Sequence, residues 1–279
     1  MTLKRDESGR LNIETRLMAE SLMDKALLES TQIERPFRAL PELNVIKLGG
    51  QSIIDRGSKV VLPLIEEIAA ARSQFPLLVM TGGGTRSRHA YAIALDLGMP
   101  TGVLAKLGSS ISEQNALMIS LLLAPHGGIK VGHDDVVKLP SYMALGAIPV
   151  MHAMPPYGLW EEPPDRGRIP PHRTDVGAFL TAEVVGAKRC ILVKDERGLF
   201  TADPKKDPNA RFIEEMEVHD LMNADYNDLP VERAMLASLA NARSVTEVFM
   251  VNGLEPGNLT RALKGENTGT RIFRSNNAG

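Results

Sequence analysis

Two lysines, one aspartate and two glycine clusters are the residues of this chain whose types and spacing could do chemistry. Asn44-Val-Ile-Lys-Leu-Gly-Gly50 is an apolar run that delivers one cation, Lys47, to a bare stretch of backbone, with Gln51 and Ser52 behind it. Gly49 and Gly50 let backbone N–H groups approach an oxyanion with no Cβ in the way. A helix following such a turn adds N-terminal donors. Lys47, at the strand's mouth, would meet the charge that develops on a transferred phosphoryl group. The theme recurs at Thr81-Gly-Gly-Gly-Thr85, where Gly82, Gly83 and Gly84 follow the run Leu77-Leu-Val-Met80. Arg86, Arg88 and His89 come next, placed either to close on a polyanion or to stand as solvated charge. Neither turn has the G-x-x-x-x-G-K-[ST] spacing of a P-loop. Taken alone, Lys-x-Gly-Gly is also what structural turn glycines look like.

Asp175 opens a helix directly after Pro170-Pro-His-Arg173. At that place it either caps its own helix or orients a cation or a catalytic lysine, and the sequence leaves both readings open. Lys194 ends a strand and begins Lys194-Asp-Glu-Arg-Gly-Leu-Phe-Thr-Ala-Asp-Pro204. In this segment Phe200 and Asp203 have a spacing suited to flanking a purine and a ribose, and equally that of an ordinary loop.

The elements that must position these groups alternate. Asn44 begins a strand. Ser58 to Ser73 places Val61, Leu64, Ile65 and Ile68 on one helical face, and Leu77 to Thr81 is a buried strand. Helices are expected over Arg86 to Leu97, Ile111 to Ala124, Asp175 to Val185, Val231 to Arg243 and Gly257 to Lys264. Strands are expected at Ile129 to Val131, Ala147 to Val150, Cys190 to Lys194, Thr246 to Val251 and Thr270 to Phe273. This alternation predicts an α/β fold of three layers, α/β/α, with a mainly parallel central sheet. Residues 41–275 form that domain. Residues 1–40 form an N-terminal arm, helical in part through Leu17, Met18, Leu22, Met23, Leu27 and Leu28, and packing on this or a neighbouring subunit. Residues 153–173 break the rhythm, with six prolines between Ala153 and His172. Such a run is neither helix nor inner strand, and a long irregular loop in a compact domain is usually a lid, a binding loop or an interface.

Composition excludes several classes. A net charge of −2 and 4% aromatic residues argue against a basic or base-stacking surface for nucleic acid. The single cysteine, Cys190, forbids an intrachain disulfide or a cysteine metal cluster and is expected in the core. No window reaches the ~20 apolar residues of a membrane span, and the charged N-terminus has no signal-peptide core. A cytoplasmic protein is the default expectation.

Together the motifs resemble the amino-acid kinase superfamily, in order, over about residues 44 to 273. Lys47-Leu-Gly-Gly50 and Thr81-Gly-Gly-Gly84 are similar to its two glycine loops, and Thr174-Asp175 with Ala178 to its helix-opening acid motif. Lys194 to Gly198 with Phe200-Thr-Ala-Asp-Pro204 is similar to its nucleotide segment. Gly257-Asn-Leu, Ala262-Leu-Lys-Gly-Glu266 and Gly269-Thr270 resemble the uridylate-kinase branch. The fold implied is carbamate kinase-like. Ile46 to Ser52, Ile54-Asp-Arg-Gly57, Ala105 to Ser110 with Gln114-Asn115, Met154-Pro-Pro-Tyr157, Ile169 to Asp175 and Val251 to Leu259 resemble, more narrowly, the bacterial molybdenum storage family. That resemblance implies an ATP-binding and hydrolysing protein, with Mg²⁺, that stores molybdate or tungstate as polyoxometalate clusters inside a hexameric cage of one or two related subunit types. Carried over by residue, Lys47 would contact nucleotide phosphates, and Gly49, Gly50, Gln51, Gly82, Gly83, Gly84 and Arg86 would form the phosphate cradle. Asp175 would orient Lys47 or a Mg²⁺ water, Lys194 would bind phosphate, and Phe200 and Asp203 would flank adenosine. His133 matches a cluster-contacting histidine of one subunit type, and His152 lies just before the proline loop; either imidazole suits an oxometalate or an ordinary polar role. Two features depart from the pattern. Most of the chain looks like one subunit type while His133 looks like the other, and Gly158 stands where the second type carries a histidine run.

Two other functions compete. A uridylate-type nucleoside monophosphate kinase explains the ATP motifs, but Arg86-Ser-Arg-His89 and Asp96-Leu-Gly-Met99 do not space acceptor-binding residues as that enzyme does, and the proline loop has no counterpart there. A non-catalytic ATP-binding subunit is the third reading, against which stand the retained Lys47, Asp175 and Lys194.

Overall fold

A computed structural model describes residues 35–275 continuously, preceded by residues 22–31 and by positions 4, 5, 7, 9, 11, 12 and 17. The chain divides into two compact units between Pro36 and Phe37. The first holds an antiparallel pair, β1 (Lys4–Arg5) and β2 (Leu11–Asn12), and a short helix α1 (Lys25–Ser30). Asp24 starts α1 by accepting the Leu27 N–H at 2.9 Å. Of the positions expected to define a helix here, Leu27 and Leu28 lie in α1 and Leu17, Leu22 and Met23 outside it, while Met18 lies outside the described residues. No α1 side chain is buried, so α1 has no packed face to extend it.

The second unit runs β3 (Asn44–Leu48), α2 (Ser58–Ala71), β4 (Leu77–Thr81), α3 (Gly84–Asp96), α4 (Thr101–Leu123), β5 (Gly128–Lys130), α5 (Leu139–Ala144) and β6 (Ile148–His152). It continues with α6 (Thr174–Val185), β7 (Arg189–Lys194), β8 (Leu199–Phe200), β9 (Phe212–Ile213), β10 (Glu215–Glu217) and α7 (Val218–Ala224). It ends with α8 (Arg233–Ala240), β11 (Glu247–Asn252), α9 (Asn258–Lys264) and β12 (Thr270–Phe273). Among the described residues the central sheet has eight strands in the order β10-β12-β11-β7-β3-β4-β6-β5. From β11 to β5 every pairing is parallel; β12 runs antiparallel to β11, and β10 follows β12. The mainly parallel sheet read from the alternation is therefore present.

Successive strand side chains point to opposite faces, and this splits the interior in two. Val45, Leu78, Met80, Cys190 and Leu192 join α6 and α8 on one face. Ile46, Leu48, Leu77, Val79, Ile191 and Val193 join α2, α4 and α9 on the other. Cys190 is buried as expected. The strand order reverses at β3, with β4, β6 and β5 to one side and β7 and β11 to the other. In open parallel sheets that reversal opens a crevice at the carboxyl ends of the strands, where both glycine clusters stand.

Helix α4 begins ten residues before the expected Ile111. A Cβ on Gly108 would lie 2.1 Å from the Tyr91 hydroxyl and 3.0 Å from its ring, so this glycine inside α4 is where α3 and α4 make close contact. The proline segment contains neither helix nor sheet strand beyond one 3-10 turn at Gly158–Trp160, and it is tied to α4 by Thr101 Oγ1 donating to the Arg168 carbonyl at 3.2 Å.

Opposing effects fix the sign at Gly108. Gly108→Ala gains about 0.8–1 kcal/mol of helix propensity and costs about 1–3 kcal/mol of overpacking. Tyr91 is buried and its ring is rigid, so overpacking wins. Calorimetry of Gly108→Ala should show a Tm a few degrees below wild type; an unchanged or higher Tm would remove the close-contact role.

Candidate functional site

Alternation along β3 and β7 aims the two lysines at one place. Lys47 has the parity of Val45 and Lys194 that of Cys190 and Leu192, so both face the α6 side of the sheet. Asp175 meets them from the first turn of α6. Its Oδ1 lies 2.8 Å from Lys47 Nζ, and Lys194 Nζ lies 2.8 Å from Oδ2 and 3.0 Å from Oδ1. All three side chains are almost wholly buried, Asp175 at 4% exposure. Burial pushes the Asp175 carboxyl up, but the Lys194 and Lys47 ammonium groups outweigh it and hold the carboxyl well below the carboxylate range. Burial pushes the Lys194 ammonium down, with Asp175 opposing. Two cations on one carboxylate leave a surplus positive charge at the floor of the site.

The glycine turns form the walls. A Cβ on Gly50 would lie 2.1 Å from the Gly84 nitrogen, so the two loops touch backbone to backbone. Gly84 has φ +74°, a left-handed conformation that favours glycine. Asp55, at the end of the first loop, accepts the Thr85 N–H at 2.6 Å and thereby fastens that loop to the start of α3. Asn115 of α4 holds the second loop by donating to the Gly82 carbonyl at 2.6 Å, and Thr81 and Ser112 exchange hydroxyl bonds with each other's carbonyls at 2.9 and 2.5 Å. The N–H groups of Gly50, Gln51 and Ser52, and of Gly83 and Gly84, have no acceptor among the described residues. They are the donors an oxyanion would take.

These parts enclose a cleft of about 920 Å³. Lys47, Gly49, Gly50, Gln51, Gly82, Gly83, Gly84, Asp175 and Lys194 all line it, so nine of the residues singled out from the sequence share one cavity. Six basic and four acidic side chains line the cleft, which makes it locally positive in a chain of net charge −2. Ion pairs cross its rim: Arg56 to Asp195 at 2.5 Å, and Lys205 to Glu196.

Other residues fall elsewhere. Arg86 turns to α4, bonding Gln114 at 3.0 Å and Asn115, and Arg88 takes the cleft-lining place. Phe200 stacks edge-on against Phe212 across the β8–β9 hairpin, 5.6 Å between centroids, and Asp203 accepts the Lys205 N–H at 2.9 Å and pairs with Lys206 at 3.1 Å. Neither Phe200 nor Asp203 lines the cleft, whereas Lys205 does. His133 and His152 meet outside it, with ring centroids 4.3 Å apart. His133 donates Nε2–H to the Met154 carbonyl at 2.8 Å, which leaves its Nδ1 with a lone pair. The buried His152 Nδ1 has no partner among the described residues, and burial, then the neighbouring His133, pushes its pKa down to about 4. Both rings therefore offer neutral imidazole nitrogens. Among the described residues no three His, Cys, Asp or Glu side chains gather as a metal site, and no helix is long and apolar enough to cross a membrane.

One residue of the cleft has no sequence signal. Glu232 reaches from before α8 to the N-terminus of α6, accepting the N–H groups of Arg173, Asp175 and Val176 at 3.1, 3.1 and 3.0 Å. Residue type and spacing assign it only to the start of its own helix. Asp175 was open to two readings in the sequence; Glu232 does the capping, and Asp175 holds the lysines.

Residues 42–252 match the model of the amino acid kinase family. The beta subunit of the molybdenum storage protein of Azotobacter vinelandii is 49% identical over 263 residues, 94% of this chain and 97% of that protein. The uridylate kinase of Metallosphaera sedula is 25% identical over 235 residues, 82% of this chain and 97% of that one. The crystal structure of the uridylate kinase of Archaeoglobus fulgidus superposes with a TM-score of 0.64 at 22% identity, covering 82% of this chain and 99% of that one, and so shares its fold.

Asp175→Asn leaves two buried ammonium groups facing a neutral amide, which should destabilise the fold by about 3–5 kcal/mol at neutral pH. The folded pKa of Asp175 lies below its ordinary value of 3.8, so its stabilising effect is full above that value and fades as pH falls through the folded pKa. Denaturant titrations of both proteins should therefore converge below about pH 4. A gap that does not narrow there would show that charge is not what Asp175 supplies.

Proposed function

The chain belongs to the amino acid kinase family and is a homologue of molybdenum storage protein subunits, and from that premise we propose that it binds and hydrolyses ATP to load molybdate or tungstate as polyoxometalate clusters into an oligomeric cage. The observation that carries the nucleotide half is the Lys47–Asp175–Lys194 cluster beneath two touching glycine loops with unspent N–H donors. A polyanion there would take the donors of Gly50, Gln51, Ser52, Gly83 and Gly84, with Lys47 and Lys194 answering charge that develops on the terminal phosphoryl group. Asp175 fixes both lysines.

Mg²⁺ would arrive on the nucleotide. Every acidic side chain lining the cleft has a partner: Asp175 two lysines, Glu232 three N–H groups, Asp195 Arg56, and Glu196 Lys205. The residues fit an ion carried by phosphates better than one held by a protein carboxylate. When bound, the ion neutralises phosphate charge.

The cargo half rests on homology and on the imidazole pair. Neutral His133 and His152 offer lone pairs to an oxometalate. Their link to the cleft is short: His152 pairs in register with Thr81, the residue before Gly82, and the Met154 carbonyl that receives the His133 bond belongs to a cleft-lining residue. Assembly with copies of this chain or with a related subunit, into a hexamer in the cytoplasm, completes the reading. The arm, residues 1–40, would contribute to that assembly.

The purified chain incubated with Mg²⁺-ATP and molybdate or tungstate, then desalted, should retain far more metal than without ATP. Uptake that ignores ATP sinks the storage reading, and robust UDP formation from UMP would put a uridylate kinase in its place. Lys47→Ala should abolish ATP-driven loading while the assembly elutes unchanged from a sizing column; normal loading would remove Lys47 from its role. His152→Ala should keep ATP hydrolysis and lower the metal retained per chain, and full retention would move the cluster site elsewhere.

A further inference from the structure

The first turn of α6 poses a conflict. Its exposed N–H groups attract the nearest carboxylate, and the nearest in sequence is Asp175 itself. An aspartate bonded to its own helix end has its oxygens spent on amides, and the two lysines would lose their shared partner. The conflict is settled by Glu232, 57 residues further on. It is the residue that starts α8, and its side chain crosses to the start of α6, so one carboxylate stands between two helix N-termini. Glu232 is 7% exposed and lines the cleft. One oxygen takes the Asp175 N–H, the other takes those of Arg173 and Val176, and Arg173 Nε lies 3.7 Å away.

We propose that Glu232 is a positioning residue: by occupying the N-terminus of α6 it withholds the helix donors from Asp175 and so keeps the Asp175 carboxylate on Lys47 and Lys194. Its catalytic consequence rests on the kinase-like reading of the cleft, but its effect on the lysines does not. Burial, then the Asp175 charge, pushes the Glu232 carboxyl up, with Arg173 and Lys47 opposing. Two carboxylates close together in a buried wall are tolerated because each has its own donors: amides for Glu232, ammonium groups for Asp175. The groups that act on the lysine pair are thus Asp175 from α6 and Glu232 from before α8, with Arg173 beside Glu232.

A second carboxylate supplies the control. Glu183, near the other end of α6, accepts the N–H groups of Arg243, Ser244 and Val245 at 2.7 to 3.0 Å, a similar bond set remote from the lysines. Both Glu232→Gln and Glu183→Gln remove a charged acceptor from three amides and should lower Tm. Only Glu232→Gln should alter the lysines. The test is acetylation of the full-length chain by trace acetic anhydride at a series of pH values, read at Lys47 and Lys194 by mass spectrometry, with no nucleotide present. In Glu232→Gln both lysines should become reactive at a pH about one unit lower than in wild type, a tenfold gain in reactivity at fixed pH below the titration. Glu183→Gln should leave both profiles in place. Lysine profiles identical in Glu232→Gln and wild type, with only Tm lowered, would overturn the proposal and leave Glu232 a plain helix cap. ATP hydrolysis gives the functional arm: kcat should fall at least tenfold in Glu232→Gln with KM within threefold of wild type, and a loss confined to KM would equally overturn it. A lysine shift in Glu232→Gln, found alongside a wild-type chain that hydrolyses no ATP, would uphold Glu232 and refute the ATPase reading.

Discussion

One carboxylate shared by two buried ammonium groups governs the architecture of the cleft. Burial opposes the charged form of Lys194, and the Asp175 carboxylate opposes that effect. Asp175 alone would resist ionisation for the same reason. With each ammonium group within about 3 Å of it, the Asp175 carboxylate is held ionised, and two formal positive charges meet one negative. The requirement reaches far into the fold. Lys47 must end a central strand, Lys194 its neighbour, and α6 must begin directly above both. Parallel pairing of β3 with β7 and the matching parity of the two lysines satisfy the first two conditions. Glu232 and the tie between α6 and α8 address the third.

The glycine loops depend on a different constraint, which is contact between backbones. Gly50 and Gly84 meet at a distance that no side chain fits. The contact is held from both ends. Asp55 fastens the first loop to α3, and Asn115 with the Thr81–Ser112 pair fastens the second to α4. Donors prepared for an anion are thus kept from folding back onto neighbouring carbonyls.

What the sequence disclosed and what it withheld divide along a physical line. Strands β3, β4, β7 and β11 were legible because each is a short run of buried apolar residues, whereas the common face of Lys47 and Lys194 came from the strand register. The glycine clusters and Asp175 were legible as types at spacings. The role of Asp175 was not, because it depends on Glu232, a long-range partner that spacing cannot express. The early start of α4 was hidden because a glycine that permits close helix contact reads the same as one that ends a helix. Arg86 was read as a cleft residue and turns to α4, since two arginines two apart on a helix face different ways and the sequence does not say which faces the cleft. Phe200 had a spacing open to a purine flank or an ordinary loop, and its packing on Phe212 was hidden because the short hairpin that joins them has two residues per strand and little pattern to read.

The separation of the glycine-lined cleft from the imidazole pair bears on how one fold could serve different tasks. A solved uridylate kinase structure superposes on this one over most of its length, so the fold is common ground. The imidazole pair of this chain lies one strand away. His152 closes β6 beside Thr81, and the proline segment begins just beyond it. A displacement of the second glycine loop would be felt at Thr81, whose carbonyl accepts both the Ala153 N–H at 3.0 Å and the Ser112 hydroxyl at 2.5 Å. That carbonyl is therefore a joint between the second glycine loop, the helix α4 and the segment that follows His152. Coupling through such a joint needs no long pathway, because three elements share one acceptor and a shift in one must be answered by the other two. In the proposed function this is the physical route by which ATP turnover would reach the site of cargo, and it places the coupling in backbone hydrogen bonds rather than in charge.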